Sequence, residues 1–121
     1  MSTHNDLGTQ GEIKALEYLL QKGYTILEIN WRYGKAEIDL IASYNNTLVF
    51  VEVKTRSGNQ FGNPESSINK TKQKLMAIAA EEYQEQKNIE MDLRFDIISI
   101  ILINNDVKEI LHFEDAFFPY E

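Results

Sequence analysis

Two strand-like runs, Ala36–Tyr44 and Thr47–Thr55, are separated by only Asn45-Asn46, and nothing else in the chain limits its fold as tightly. Asparagine tolerates the positive φ of a two-residue type I′ turn, so the pair reads as a β-hairpin. A two-residue loop also sets the register. Tyr44 faces Thr47, and counting back places Asp39 opposite Glu52 and Glu37 opposite Lys54. Opposed residues project to one face with Cβ atoms about 4.5–5.5 Å apart. Two ionised carboxylates at that distance repel by about 3 kcal/mol at an effective dielectric of roughly 20. Ile41, Leu48 and Phe50 share the face, and charged groups among such side chains require a partner.

A hard divalent cation, Mg2+ or Mn2+, is the natural partner. It takes oxygen ligands, commonly one or two carboxylates completed by water and substrate oxygens. Asp39 and Glu52 supply two, and the carbonyl of Val53 can supply a third. Such an ion acidifies a water and offsets charge that builds on a phosphorus under attack. Lys54, two residues beyond Glu52, projects to the same face, where its ammonium can orient the water or steady the phosphorane oxygens. Asp39, Glu52 and Lys54 are therefore the candidate catalytic set for phosphodiester hydrolysis. Glu12 joins them if the helix that carries it lies over the sheet, and Glu37 either holds Lys54 or serves as a weaker ligand. The plainer reading is a solvated sheet face with alternating acid and lysine. On the residues alone the two readings stand level.

The remaining elements follow from spacing. Asn5 or Asp6 can cap a helix from about Leu7 to Lys22, ended by Gly23, with Ile13, Leu16, Leu19 and Leu20 on its apolar side. Residues 24–31 read as a strand, and residues 56–65, with Gly58, Gly62 and Pro64, as a loop carrying Phe61. Ser66 or Ser67 can cap a second helix to about Lys87, in which Ile68, Leu75, Ala79 and Tyr83 recur at helical spacing. Residues 94–103 form a strand so apolar that both faces should be covered. Asn104-Asn105-Asp106 turns into a last strand, residues 107–113, and Ala116-Phe117-Phe118 packs as a tail. The order α-β-β-β-α-β-β describes one α/β domain over residues 1–121, a mixed sheet flanked by helices.

Composition narrows the function. The 43% hydrophobic and 26% charged fractions belong to a folded chain. The absence of cysteine excludes a thiolate nucleophile and a disulfide framework, and fits a reducing compartment. With no basic, apolar leader and no apolar run long enough for a bilayer, the expected location is the cytoplasm and no membrane partner is expected. The net charge of −7 argues against a polyanion until its distribution is read. Residues 32–74 carry seven basic and four acidic side chains, residues 75–121 three and eleven. Arg32, Arg56, Lys70, Lys72 and Lys74 make the middle third a basic island suited to phosphates, although lysines on one helix also describe a solvated face. Phe61 either stacks on a base or folds onto the core. His4 and His112 lack a partner at ligand spacing, and His112 is read as structural.

Gly11-Glu12, Glu37-Ile38-Asp39-Leu40-Ile41-Ala42, Phe50-Val51-Glu52-Val53-Lys54-Thr55-Arg56, Phe61-Gly62, Lys72 and Arg94-Phe95-Asp96 together resemble the YraN family of small bacterial proteins. The resemblance runs from about Gly8 to Phe117 and includes His112 and Ala116-Phe117. That family is similar to the PD-(D/E)XK nuclease superfamily, close in fold to Holliday junction resolvases. The resemblance implies a restriction-endonuclease-like αβββαβ core, with Asp39, the Glu52-Val53-Lys54 triplet and Glu12 in the superfamily's site positions. Ile38 stands where the superfamily name has proline, and Ala36 where the family usually has glycine. The activity so implied is Mg2+-dependent cleavage of nucleic acid, branched or structured DNA ahead of RNA. A four-way junction as substrate would require two symmetric sites and hence a homodimer. The alternatives are a nucleic-acid-binding module of the same fold that does not cleave, and an interaction protein using the acidic C-terminal third.

Overall fold

Residues 6–57 and 68–118 are described by a computed structural model of the chain. They form α1 (Asp6–Gln21), β1 (Thr25–Tyr33), β2 (Ala36–Tyr44), β3 (Thr47–Ser57), α2 (Lys70–Lys87), β4 (Asp92–Ile103) and β5 (Asp106–Phe113). The strands make one sheet in the order β1-β2-β3-β4-β5. β3 and β4 run parallel, joined through α2, and the other neighbours are antiparallel. α1 lies on β3, β1 and β4, and α2 on β2 and β1. Two apolar clusters fill the layers. Ile41, Leu48, Phe50, Phe95 and Ile97 pack with Met76, Ala79 and Tyr83 of α2. Val49, Val51, Ile98, Ile100 and Leu102 pack with Ala15 and Leu19 of α1. This is the expected α/β architecture, a mixed sheet between helices consistent with a restriction-endonuclease-like core. Among the described residues no helix is long and apolar enough to cross a membrane.

Asparagine punctuates the chain. Asn45 and Asn46 turn the hairpin at φ 49° and 60°, and the pairs from Tyr44–Thr47 to Leu40–Val51 keep the expected register. Asn104 and Asn105 do the same between β4 and β5, at φ 53° and 67°. Gly23, at φ 95°, closes α1 with the Gly23 N–H donating to the Leu20 carbonyl (3.1 Å) and the Tyr24 N–H to that of Leu19 (3.0 Å), the paired bonds of a Schellman ending. α2 begins later than its periodicity suggested. Its cap is Asn69, whose side chain accepts the Lys72 N–H at 2.8 Å; Ser66 and Ser67 lie outside the described residues, as does Phe61. Ile68 precedes the helix rather than starting its apolar face, yet it is buried beneath it.

β4 is covered on both faces, as its composition demands, but it also buries a charge. Asp96 is fully enclosed. Its carboxylate accepts from Arg94 Nε (2.9 Å) and Nη2 (2.9 Å), from His112 Nε2 (2.7 Å) and from the Asp115 N–H (3.0 Å). Burial alone would push its pKa up, but the bonds from His112, Arg94 and Asp115 outweigh burial and hold it below the ordinary value. Nε2 of His112 thus faces the carboxylate, and its Nδ1 lies 3.0 Å from the Tyr18 hydroxyl of α1. Arg94 Nη2 also donates to the Tyr24 hydroxyl at 2.6 Å. His112 is structural, as expected, and the network ties α1, β4 and β5 together.

The apolar side of α1 departs from expectation. Ala15 and Leu19 are fully buried, whereas Ile13 and Leu20 are about half exposed. Gly11, Ala15 and Leu19 recur every four residues, and the two small ones bring the helix against the sheet. A Cβ at position 11 would overlap Oγ1 of Thr55 and stand 2.8 Å from its Cβ. In an unobstructed helix Gly→Ala stabilises by about 1 kcal/mol; here the overlap reverses the sign. Gly11→Ala is expected to destabilise by about 1–3 kcal/mol in urea denaturation, and by less in a Thr55→Ala background. A gain in stability from the single change would show that α1 does not approach β3 so closely.

Candidate metal and nuclease site

The β2–β3 ladder does not reach the candidate carboxylates. Its last pair is Leu40–Val51; beyond it β2 continues with β1 as far as Ala36, and β3 continues with β4 as far as Ser57. The sheet therefore forks. Asp39 and Glu52 are not opposed across a main-chain ladder, and neither are Glu37 and Lys54, as the register had suggested. Instead the Asp39 carboxylate reaches over and accepts the Val53 N–H at 2.8 Å. The carbonyl of Val53 points to the same edge as its N–H, into the mouth of the fork.

β2 changes phase at this place. Ile38 and Ile41 both pack under α2, while Leu40 and Ala42 pack under α1, so the two-residue alternation slips around Asp39. Asn30 of β1 lies between the pairs Ile29–Leu40 and Trp31–Ile38 and adopts a left-handed φ of 53°, a conformation Asn accepts more readily than most residues. Its side chain lies beside Glu12 of α1 and favours the charged carboxylate there. A polar Asn flanked by Ile29 and Trp31 in a strand was the signal for this break. Sequence reasoning passed over it.

Acidic groups gather at the fork. Asp39, Glu37 and Glu52 line a cavity of about 370 Å³ together with Asn69, Thr71 and Lys72. Burial first, then the Glu52 carboxylate, push the pKa of Asp39 up to about 7, against the opposing pull of the Val53 N–H; Glu12 adds to the rise and Lys72 reduces it. Burial also raises the pKa of Glu12, against the opposing pull of Asn30, with Glu37 and Glu52 adding to the rise. Glu12 and Asp39 thus sense Glu52 from different sides, Glu12 from the α1 layer.

The basic residues divide differently than expected. Lys72, expected at phosphates, ion-pairs with Glu52 at 2.5 Å. Lys54 follows Glu52 by two residues on β3 and pairs with Ser99 of β4; it forms no hydrogen bond or ion pair among the described residues. Glu37 does not hold Lys54: it faces Arg32 across β1–β2, with Nε 3.5 Å from its carboxylate. Lys70 and Lys74 are exposed on α2, and Arg56 is half-buried near the end of β3. Among the described residues no three His, Asp or Glu side chains converge as a ready ligand group for one ion. Two carboxylates and the Val53 carbonyl suit a cation that keeps several waters, as Mg2+ does. The Lys72 ammonium already on Glu52 shows that the place accepts positive charge.

A model of the uncharacterised protein family UPF0102 matches residues 11–100, the span from the close approach of α1 into the last third of β4. A UPF0102 protein of Flavobacterium psychrophilum is 47% identical over 120 residues, covering 99% of this chain and 100% of its own. One of Thermodesulfovibrio yellowstonii is 47% identical over 113 residues, 93% of this chain and 96% of its own. One of Phocaeicola vulgatus is 39% identical over 119 residues, 98% of each.

The raised pKa of Asp39 has a stability consequence. The folded chain binds its proton near pH 7 and the unfolded chain near 3.8. Folding therefore favours the protonated form between these values, and stability falls as pH rises through that window. Asp39→Asn keeps an acceptor for Val53 and removes the repulsion. In EDTA it is expected to stabilise by about 1–3 kcal/mol more at pH 8 than at pH 5. Thermal unfolding at the two pH values checks this; a larger loss at pH 8 than at pH 5 would contradict it.

Proposed function

The chain belongs to the uncharacterised protein family UPF0102, the YraN family, and from its forked carboxylate site we propose that it is a divalent-metal-dependent endonuclease acting on nucleic acid. The reading is carried by one observation. Asp39 and Glu52 meet where the sheet opens, partly buried, with more negative charge than the surroundings offset. Asp39, Glu52 and the Val53 carbonyl would hold the ion, Mg2+ or Mn2+. When bound, it supplies an acidified water and charge compensation at the phosphorus.

The protein supplies position. Lys54, without a partner on its own strand, is free to orient the attacking water or meet the phosphorane oxygens. Glu12 enters from α1 with Asn30 beside it, and its carboxylate would accept a hydrogen bond from that water. On the opposite wall of the cavity α2 begins, where first-turn N–H groups have no partner within the helix. Asn69 and Thr71 line that wall, and a helix start favours a phosphate. Lys70, Lys74, Arg56 and Arg32 extend the basic rim for backbone contacts, which hold a strand without reading its bases.

DNA, branched or structured, is the substrate class this reading favours, with a homodimer required if both strands of a junction are cut. In Mg2+ or Mn2+ the wild type is expected to cut at least one of branched, flapped, duplex or single-stranded DNA. Glu52→Gln and Lys54→Ala should each lose about 10²–10³-fold in rate while remaining folded by circular dichroism. Equal cleavage by all three proteins would remove these residues from the mechanism. Binding of metal and DNA without cleavage would identify a nucleic-acid-binding module instead.

A further inference from the structure

Lys72 is the residue whose position the nuclease reading does not yet use. It is the third residue of α2, and its ammonium sits on the Glu52 carboxylate inside the cavity shared with Asp39. The two partners differ in freedom. The Glu52 side chain is 9% exposed and that of Lys72 44%, so the acid is held by the sheet while the lysine stem runs through open space. Among the described residues no other cation ion-pairs with these two carboxylates: Lys35 lines the cavity without such a pair, Arg32 is engaged with Glu37, and Lys54 has no ion pair. The Lys72 charge also offsets Asp39.

We propose that Lys72 is a displaceable internal counter-ion, which neutralises the Asp39–Glu52 pair in the metal-free chain and moves to a substrate phosphate when a divalent cation takes its place. The inference rests on the nuclease reading and deepens it. A dication and an ammonium on the same carboxylate oxygens repel twice as strongly as two single charges at that separation, so the two compete for Glu52. The ammonium that leaves has a destination nearby. Its own helix begins at the cavity wall, and a phosphate at that helix start lies within reach of a flexible four-carbon stem. The exchange changes the site's sign. Two carboxylates and one ammonium leave it negative, and a dication added to them leaves it positive, so phosphate affinity switches on with the metal. The apo chain is thereby kept from gathering nucleic acid in this cavity.

The test measures binding, not turnover. Mn2+ alone is titrated by calorimetry into the wild type, Lys72→Met and Lys72→Arg, each checked by thermal unfolding. Lys72→Met is expected to bind Mn2+ about 10-fold more tightly than the wild type, and Lys72→Arg, which keeps the competing charge, to stay near it. A duplex DNA probe is then bound in the Lys54→Ala background, followed by fluorescence anisotropy. There Lys72→Met should weaken binding about 10-fold in Mn2+ and leave it unchanged in EDTA. Equal Mn2+ affinity in wild type and Lys72→Met would overturn the exchange while leaving the metal site standing. The same loss of DNA affinity with and without Mn2+ would make Lys72 an ordinary phosphate contact and also overturn it. Failure of every variant to bind Mn2+ would bring down the nuclease reading itself, and this inference with it.

Discussion

At the point where β2 and β3 part, the backbone N–H of Val53 would lose its ladder partner, and the carboxylate of Asp39 takes that place. A side chain thus ends a run of main-chain pairing that could otherwise have continued to the strand ends. Much follows from this substitution. Because Asp39 is spent on the edge of β3, it is held close to Glu52 without being stacked opposite it. Where the strands separate, α2 reaches the opening with Lys72, while Glu12 of α1 lines a neighbouring cavity with Asn30 and Leu40 and acts on Asp39 through its charge. Buried polar groups are tolerable only when paired, and here the pairing itself draws the prongs together.

The helices are anchored to serve that opening. α1 is drawn onto β3 at Gly11, next to Glu12, and its other half is tied through Tyr18 to the buried His112–Asp96–Arg94 group. A rod fixed at two separated points cannot tilt, so the carboxylate at position 12 inherits the rigidity of the core. The Asp96 group uses charge where an apolar residue would also fill space. Its bonds are directional, and they set the relative placement of three elements, which dispersion contacts alone do less sharply.

Much of this was legible in the residues. Asn45-Asn46 set the hairpin and the register as far as Leu40–Val51, and the unbroken apolar run of β4 announced a strand covered on both sides. Local chemistry decides such features, so a local pattern reveals them. The fork was not legible in the same way. It depends on where β1 and β4 each claim a partner, and alternation within one strand says nothing of that. Extrapolating the hairpin placed Asp39 near Glu52 for a reason that holds only in part: the residues are neighbours, but through a side chain. The contact face of α1 is hidden in its sequence because large apolar residues dominate a periodicity, while Gly11 and Ala15, which make the contact, carry little weight in it. The helix alone shows no acid for Lys72 and so points it at phosphates; Glu52 lies twenty positions upstream and meets it only across the layer.

The parallel pairing of β3 with β4 carries a consequence for how the molecule comes into being. The hairpin is a local structure that can close soon after both its strands exist. The other neighbour of β3 lies beyond α2, and from Thr47–Asp92 to Ser57–Leu102 every pair spans the same long stretch of chain. Contacts of such sequence separation form late and slowly. During synthesis, then, the strand bearing Glu52 waits with one edge bare until the second half of the chain has emerged, and the opening between the prongs gains its final shape only as that edge is closed.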